Sequence, residues 1–143
     1  MKIKYYKVHK ILEEIVYLLL IAFFCYTASN KMVNLNSFQT NLIKTTMFSK
    51  EVANWFSVLV VIFEFIIVLI LLFYKKIGLW IFSGTILIFT LYISFLRSQG
   101  LYEVCGCGGV LNGLSYSYHL LINILLIIGA VYCLIILFNS DEK

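Results

Sequence analysis

The chain contains no proline, and only 13% of its 143 residues are charged. The first absence removes the commonest cause of helix kinks, so long apolar runs should form fairly continuous helices. The second excludes an ordinary water-soluble domain, in which apolar residues make up roughly half of the chain. Here 62% are hydrophobic and the mean hydropathy is +0.98. Strict alternation of apolar and polar residues is missing too: Phe56 to Tyr74 is almost uninterruptedly apolar, which argues against a transmembrane β-barrel.

Four apolar runs are present, at about 11–28, 52–74, 77–96 and 116–138. Each is long enough to cross a hydrocarbon core of about 30 Å at 1.5 Å per residue. The expected fold is therefore an all-α integral membrane protein, one membrane domain over 1–143, built as a four-transmembrane-helix bundle of two helical hairpins. The basic start before the first run has the outline of a signal peptide, but bulky Phe23 and Phe24 stand where a cleavage site would need small residues, so this run is expected to stay as a span.

Two longer connections, about 29–51 and 97–115, separate the spans. In the first, Leu35, Phe38, Leu42, Ile43 and Met47 recur at near-helical spacing, as in a short interfacial helix; a solvated loop is the other reading. Lysines are unevenly placed. Lys2, Lys4, Lys7, Lys10, Lys75, Lys76 and Lys143 fall on one side of a four-span chain, against Lys31, Lys44, Lys50 and Arg97 on the other. By the positive-inside rule both termini are expected in the cytoplasm and both long connections outside. The net charge of +4 thus speaks to topology, and no nucleic-acid partner is expected.

The second connection carries Cys105-Gly106-Cys107-Gly108-Gly109. Two thiols one residue apart can close on each other, exchange with a partner's thiols or hold a soft metal. A disulfide across one residue is hard to close without strain, which Gly106 partly relieves, and strained disulfides are the labile ones. Gly108 and Gly109 allow a sharp turn or a close backbone approach. Outside the cytoplasm such a pair meets an oxidising environment. An inert staple in a glycine-rich turn is a second reading. A soft-metal site formed by Cys105, Cys107 and His119 is a third, although the second Cys/His pair of a closed zinc site is lacking.

His119 and Asn123 are four residues apart, on one face of the last span, with Ser115 one turn earlier. The working assignment has His119 lowering a thiol pKa or taking its proton, and Asn123 orienting the ring or bonding loop backbone; a capping or packing histidine is the alternative. Glu64 stands near the middle of the second span with Ser57 on the same face. A neutral Glu64 hydrogen-bonded to the third-span stripe of Ser83, Thr90 and Ser94 is one expectation; a proton relay or a polar contact for a quinone headgroup is the other. Cys25 lies near the outer end of the first span and Cys133 in the inner half of the last, too far apart in depth to bridge.

In their order these residues resemble the MauE/DoxX family of four-helix redox-associated membrane proteins, in its bacterial branch with a Cys-x-Cys-Gly-Gly loop. The resemblance rests on Ser29-Asn30-Lys31, the Phe38 region, Glu64, Cys105 to Leu111, and Tyr118-His119-Leu120-Leu121-Ile122-Asn123, and covers nearly the whole chain. Gly108 stands where the methylamine-utilisation form more often has Phe, a departure that bears on the partner more than on the chemistry. The resemblance implies a helper in thiol-disulfide handling at the bacterial cytoplasmic (inner) membrane, with Cys105 and Cys107 on the extracytoplasmic side and a thioredoxin-like protein or a client protein as partner. Two functions follow as expectations: a thiol-disulfide oxidoreductase assisting a partner's disulfide formation or maturation, with quinone coupling as one variant, or a non-enzymatic assembly, transport or soft-metal carrier subunit.

Overall fold

The computed structural model describes residues 2–102 and 113–141, with side chains over 8–102 and 113–139. Five helices follow in order: α1 Lys2–Val33, α2 Leu35–Lys44, α3 Lys50–Phe73, α4 Lys75–Ser98 and α5 Tyr116–Asp141. No strand occurs among the described residues. The helices α1, α3, α4 and α5 are long and apolar enough to cross a membrane. Cys105, Cys107, Gly106, Gly108 and Gly109 lie outside the described residues.

The four long helices close into a ring, α1 against α3 and α5, and α4 against α3 and α5, while α2 lies on α3 and touches α1. Phe24 and Phe82 meet edge-on across the ring, from α1 to α4, with centroids 5.1 Å apart. Around them pack Leu20, Ile67, Leu71 and Leu79. The outward faces stay apolar: Leu18, Leu69, Ile88 and Leu125 are exposed, as lipid-facing positions should be. Trp55 and Tyr118 are exposed near the starts of α3 and α5, and Tyr74 and Trp80 near the α3–α4 turn. These are the positions of aromatic belts at two membrane interfaces.

Local chemistry sets the helix ends. Ser49 caps α3 by accepting the Val52 N–H at 3.4 Å, satisfying one of the donors a helix start leaves open. A single residue, Tyr74, joins α3 to α4. That turn brings the two helices so close that a Cβ on Gly78 would lie 2.7 Å from the Leu71 Cα. At the other end of α4, Gly100 adopts a φ of 71°. The Gly100 N–H bonds the Arg97 carbonyl at 3.1 Å and the Leu101 N–H bonds the Leu96 carbonyl at 2.9 Å, a Schellman ending that glycine makes possible.

Two expectations change. The first helix does not stop near residue 28 but continues to Val33, which carries Lys31 into the protein interior instead of leaving it among the loop charges. The first connection is helical over Leu35–Lys44, with Phe38 and Leu42 buried, so the solvated-loop reading is set aside: apolar residues at that spacing find a surface on α3 to cover. At the opposite end of the bundle, Lys75 Nζ lies 2.8 Å from Glu13 Oε1 and 2.9 Å from Glu14 Oε1, and His9 Nδ1 lies 3.0 Å from the Tyr132 hydroxyl. The start of α1, the α3–α4 turn and the end of α5 therefore share one end.

Candidate functional site

The segment that carries the cysteine pair lies in sequence between Tyr102 and Gly113, the described residues that flank it. Tyr102 clasps its base. The hydroxyl donates to the Leu114 carbonyl at 2.9 Å and lies 3.2 Å from His119 Nδ1, while the ring meets Tyr116 edge-on at 5.6 Å. Tyr116 is held in turn by Ser94, hydroxyl to hydroxyl at 3.0 Å. Burial, with a smaller contribution from Tyr116, pushes the Tyr102 phenol above its ordinary pKa, so it stays a neutral O–H.

This arrangement assigns the tautomer of His119. The phenol has one hydrogen, and a carbonyl can only accept, so that hydrogen goes to Leu114 and the phenol oxygen accepts from Nδ1–H. In neutral His119 the lone pair then sits on Nε2, the nitrogen able to take a proton. His119 itself is buried. The roles expected of Asn123 are to orient the imidazole or to bond loop backbone; among the described residues it makes no bond to the ring, and the loop backbone lies outside them. Its Nδ2 donates to Thr90 Oγ1 at 3.0 Å, tying α5 to α4, and Tyr102 holds the ring instead.

Glu64 is fully buried and is bonded not by hydroxyls of α4 but by the Lys31 ammonium. Ser83, Thr90 and Ser94 donate back to their own helix, to the carbonyls of Leu79, Ile86 and Thr90, and Ser57 donates to Asn54. The expected partner of Glu64 is thereby corrected from the hydroxyls of α4 to Lys31. A carboxylate in an apolar interior costs several kcal/mol unless an opposite charge is at hand. Lys31 also stands 5.0 Å from the centre of the Phe89 ring and 5.9 Å from that of Phe38, so the cation joins α1, α2, α3 and α4.

Beside Lys31 lies a cavity of about 210 Å³ under α2. Aromatic rings make up much of its wall, among them Phe24, Phe38, Phe56 and Phe89, and Lys31, Tyr92, His119 and Asn123 also line it. The clasped histidine and the lysine of the buried ion pair thus border one space.

A family model described as methylamine utilisation protein MauE matches residues 9–136, from the first turns of α1 almost to the end of α5. The chain belongs to the MauE family. Neither a curated protein nor a solved structure matches it. As a MauE-family membrane protein it has the four-span architecture expected from its apolar runs, and a histidine on α5 beside the base of the cysteine-bearing segment.

Within this MauE frame, Cys25 is half-buried and packs against the main core. Cys133 is buried, with Sγ 3.6 Å from the Glu13 carbonyl, at the end where Lys75 meets Glu13. Three residues of the site escaped the sequence reading. Lys31 counts there among the loop charges, Tyr102 falls in the second connection, and Tyr92 falls inside the third apolar run without being singled out. A lysine three residues past a predicted span, with a lone glutamate inside the next one, is the signal that could have found Lys31.

Proposed function

We propose that this MauE-family protein is a membrane thiol-disulfide redox protein, in which Cys105 and Cys107 exchange with a partner outside the cytoplasm. The Tyr102–His119–Leu114 clasp carries this reading. It pins both ends of the cysteine-bearing segment beside an imidazole whose base nitrogen is assigned, and Cys105 is only three residues along the chain from Tyr102.

The step is a disulfide exchange. One thiolate of the partner attacks a sulfur of the Cys105–Cys107 disulfide and forms a mixed disulfide; the partner's second thiolate then releases it. One S–S bond breaks and one forms, the partner is oxidised, and two electrons and two protons pass to Cys105 and Cys107. His119 acts as the local proton acceptor and donor, because only a thiolate attacks. Gly106 eases the strained ring, and Gly108 and Gly109 leave room for the partner's backbone.

The lysine distribution supports placing both termini in the cytoplasm and the cysteines on the opposite side. Moving Lys31 from a loop into the core strengthens that asymmetry, leaving Lys44, Lys50 and Arg97 on the outer side. The bacterial inner membrane is the setting this implies, with a thioredoxin-like protein or client as partner.

The test is the redox state of the pair in native membranes, trapped with a membrane-impermeant thiol reagent in a Cys25→Ala/Cys133→Ala variant. Reversible oxidation at a potential between roughly −270 and −120 mV, the range of thioredoxin-like proteins, is the expected result. Thiols that stay reduced, or that label only after strong chelation, would favour an assembly subunit or a soft-metal carrier formed by Cys105, Cys107 and His119.

A further inference from the structure

We propose that the cavity under α2 binds a neutral, lipid-soluble ring carrying carbonyl oxygens, the chemical class of a benzoquinone headgroup. The site consists of described residues alone and does not depend on the cysteine reading.

Size sets the first limit. A dry apolar cavity of about 150 Å³ takes a benzene molecule, so about 210 Å³ accommodates one substituted six-membered ring and little more. The wall fits a flat apolar body, since the aromatic side chains of Phe24, Phe38, Phe56 and Phe89 line it. The way in is from the membrane: Met47, Phe56 and Ile88 line the cavity and are also exposed on the outer surface of the bundle. A ring can enter there with an apolar tail left among the lipid chains.

Polarity sets the second limit. Lys31 lines the cavity and gives Glu64 one of its three ammonium hydrogens. Tyr92 also lines it, and its buried hydroxyl has no hydrogen-bond partner among the described residues. A buried hydroxyl left unpaired costs about 1–3 kcal/mol, a cost that a ligand oxygen would offset. No carboxylate is among the lining residues. The donors therefore call for an acceptor. Because Glu64 already compensates the charge of Lys31, the acceptor need not be an anion, and a ring carbonyl meets both conditions. The polar contact for such a headgroup is thus assigned to Lys31 and Tyr92, not to Glu64, which does not line the cavity.

The test uses the full-length chain in phosphatidylcholine nanodiscs, titrated with decyl-ubiquinone and followed by calorimetry. Saturable one-to-one binding is expected. Val60→Trp fills the cavity from α3 and should weaken binding at least tenfold. Tyr92→Phe removes only the hydroxyl and should weaken it about three- to tenfold, the loss of one hydrogen bond. Leu91→Trp, on the lipid-facing surface, and Cys105→Ser/Cys107→Ser should bind as the unaltered protein does, which keeps this site separable from the thiol chemistry. Dodecylbenzene, with a ring and tail but no carbonyl, should bind at least tenfold more weakly. Absence of saturable binding, equal binding of dodecylbenzene, or an unchanged affinity in Tyr92→Phe would overturn the proposal and leave a pocket for a lipid chain. Should Val60→Trp not fold, Tyr92→Phe decides, since it adds no atom to the interior.

Discussion

The Tyr102 hydroxyl lies 3.2 Å from His119 Nδ1 and donates its own hydrogen to the Leu114 carbonyl 2.9 Å away. One phenol thereby holds the chain on both sides of the cysteine-bearing segment and sets which imidazole nitrogen can act as a base.

Tyr102→Phe should slow thiol exchange at Cys105 and Cys107 by about three- to tenfold through the loss of one hydrogen bond to the ring. It should also change the pH profile of that exchange, because the tautomer is no longer held. The measurement is the rate of reaction with a small disulfide across pH 6 to 9, roughly the range in which imidazole and thiol titrate. An unchanged rate and profile would remove His119 from the exchange.

Tyr102 also makes stability depend on pH at the alkaline end. Its pKa is raised in the folded protein from an ordinary value of 10.0, so the unfolded chain loses this proton first as pH rises. The contribution is fully present below pH of about 10 and is lost as pH climbs through the folded value. Tyr102→Phe should therefore show a shallower loss of stability above pH of about 10 than the unaltered chain, measured by denaturation in mild detergent.

Lys31 and Glu64 should be strongly coupled. Lys31→Met leaves an unpaired buried carboxylate and should cost about 3–5 kcal/mol, as should Glu64→Leu, which leaves an unpaired buried ammonium. The double variant Lys31→Met/Glu64→Leu should recover most of the loss. Unfolding of the three variants in detergent checks this, and additive losses would mean that the two residues do not act as a pair.

Gly78 and Gly84 form a matched test of helix packing. A Cβ at position 78 would meet the Leu71 backbone at 2.7 Å, whereas one at position 84 meets nothing within 4 Å. Gly78→Ala should destabilise by about 1–3 kcal/mol by forcing α3 and α4 apart. Gly84→Ala should be neutral or gain up to about 1 kcal/mol from helix propensity.

Sidedness can be read with single cysteines in a background lacking the natural four. Lys44→Cys in α2 should label in intact cells with an impermeant maleimide, and Lys10→Cys in α1 should label only after the membrane is opened. The reverse pattern would invert the proposed topology and place Cys105 and Cys107 in the cytoplasm.

The apolar runs by themselves determined the four long helices, because a stretch of some twenty apolar residues has few ways to satisfy its backbone other than as a helix. The spacing from Leu35 to Ile43 pointed to α2, and the single position between Phe73 and Lys75 follows from a tight polar break between two such runs. Pattern could place His119 and Asn123 on one helix face, but it could not supply their partners.

Only the tertiary structure decided that Tyr102 holds His119, that Thr90 holds Asn123, and that Lys31 leaves the loop to meet Glu64. The physical reason is the same in each case. Periodicity reports which side of a helix is apolar, whereas the pairing of buried polar groups depends on which helices become neighbours and how far each slides along the next.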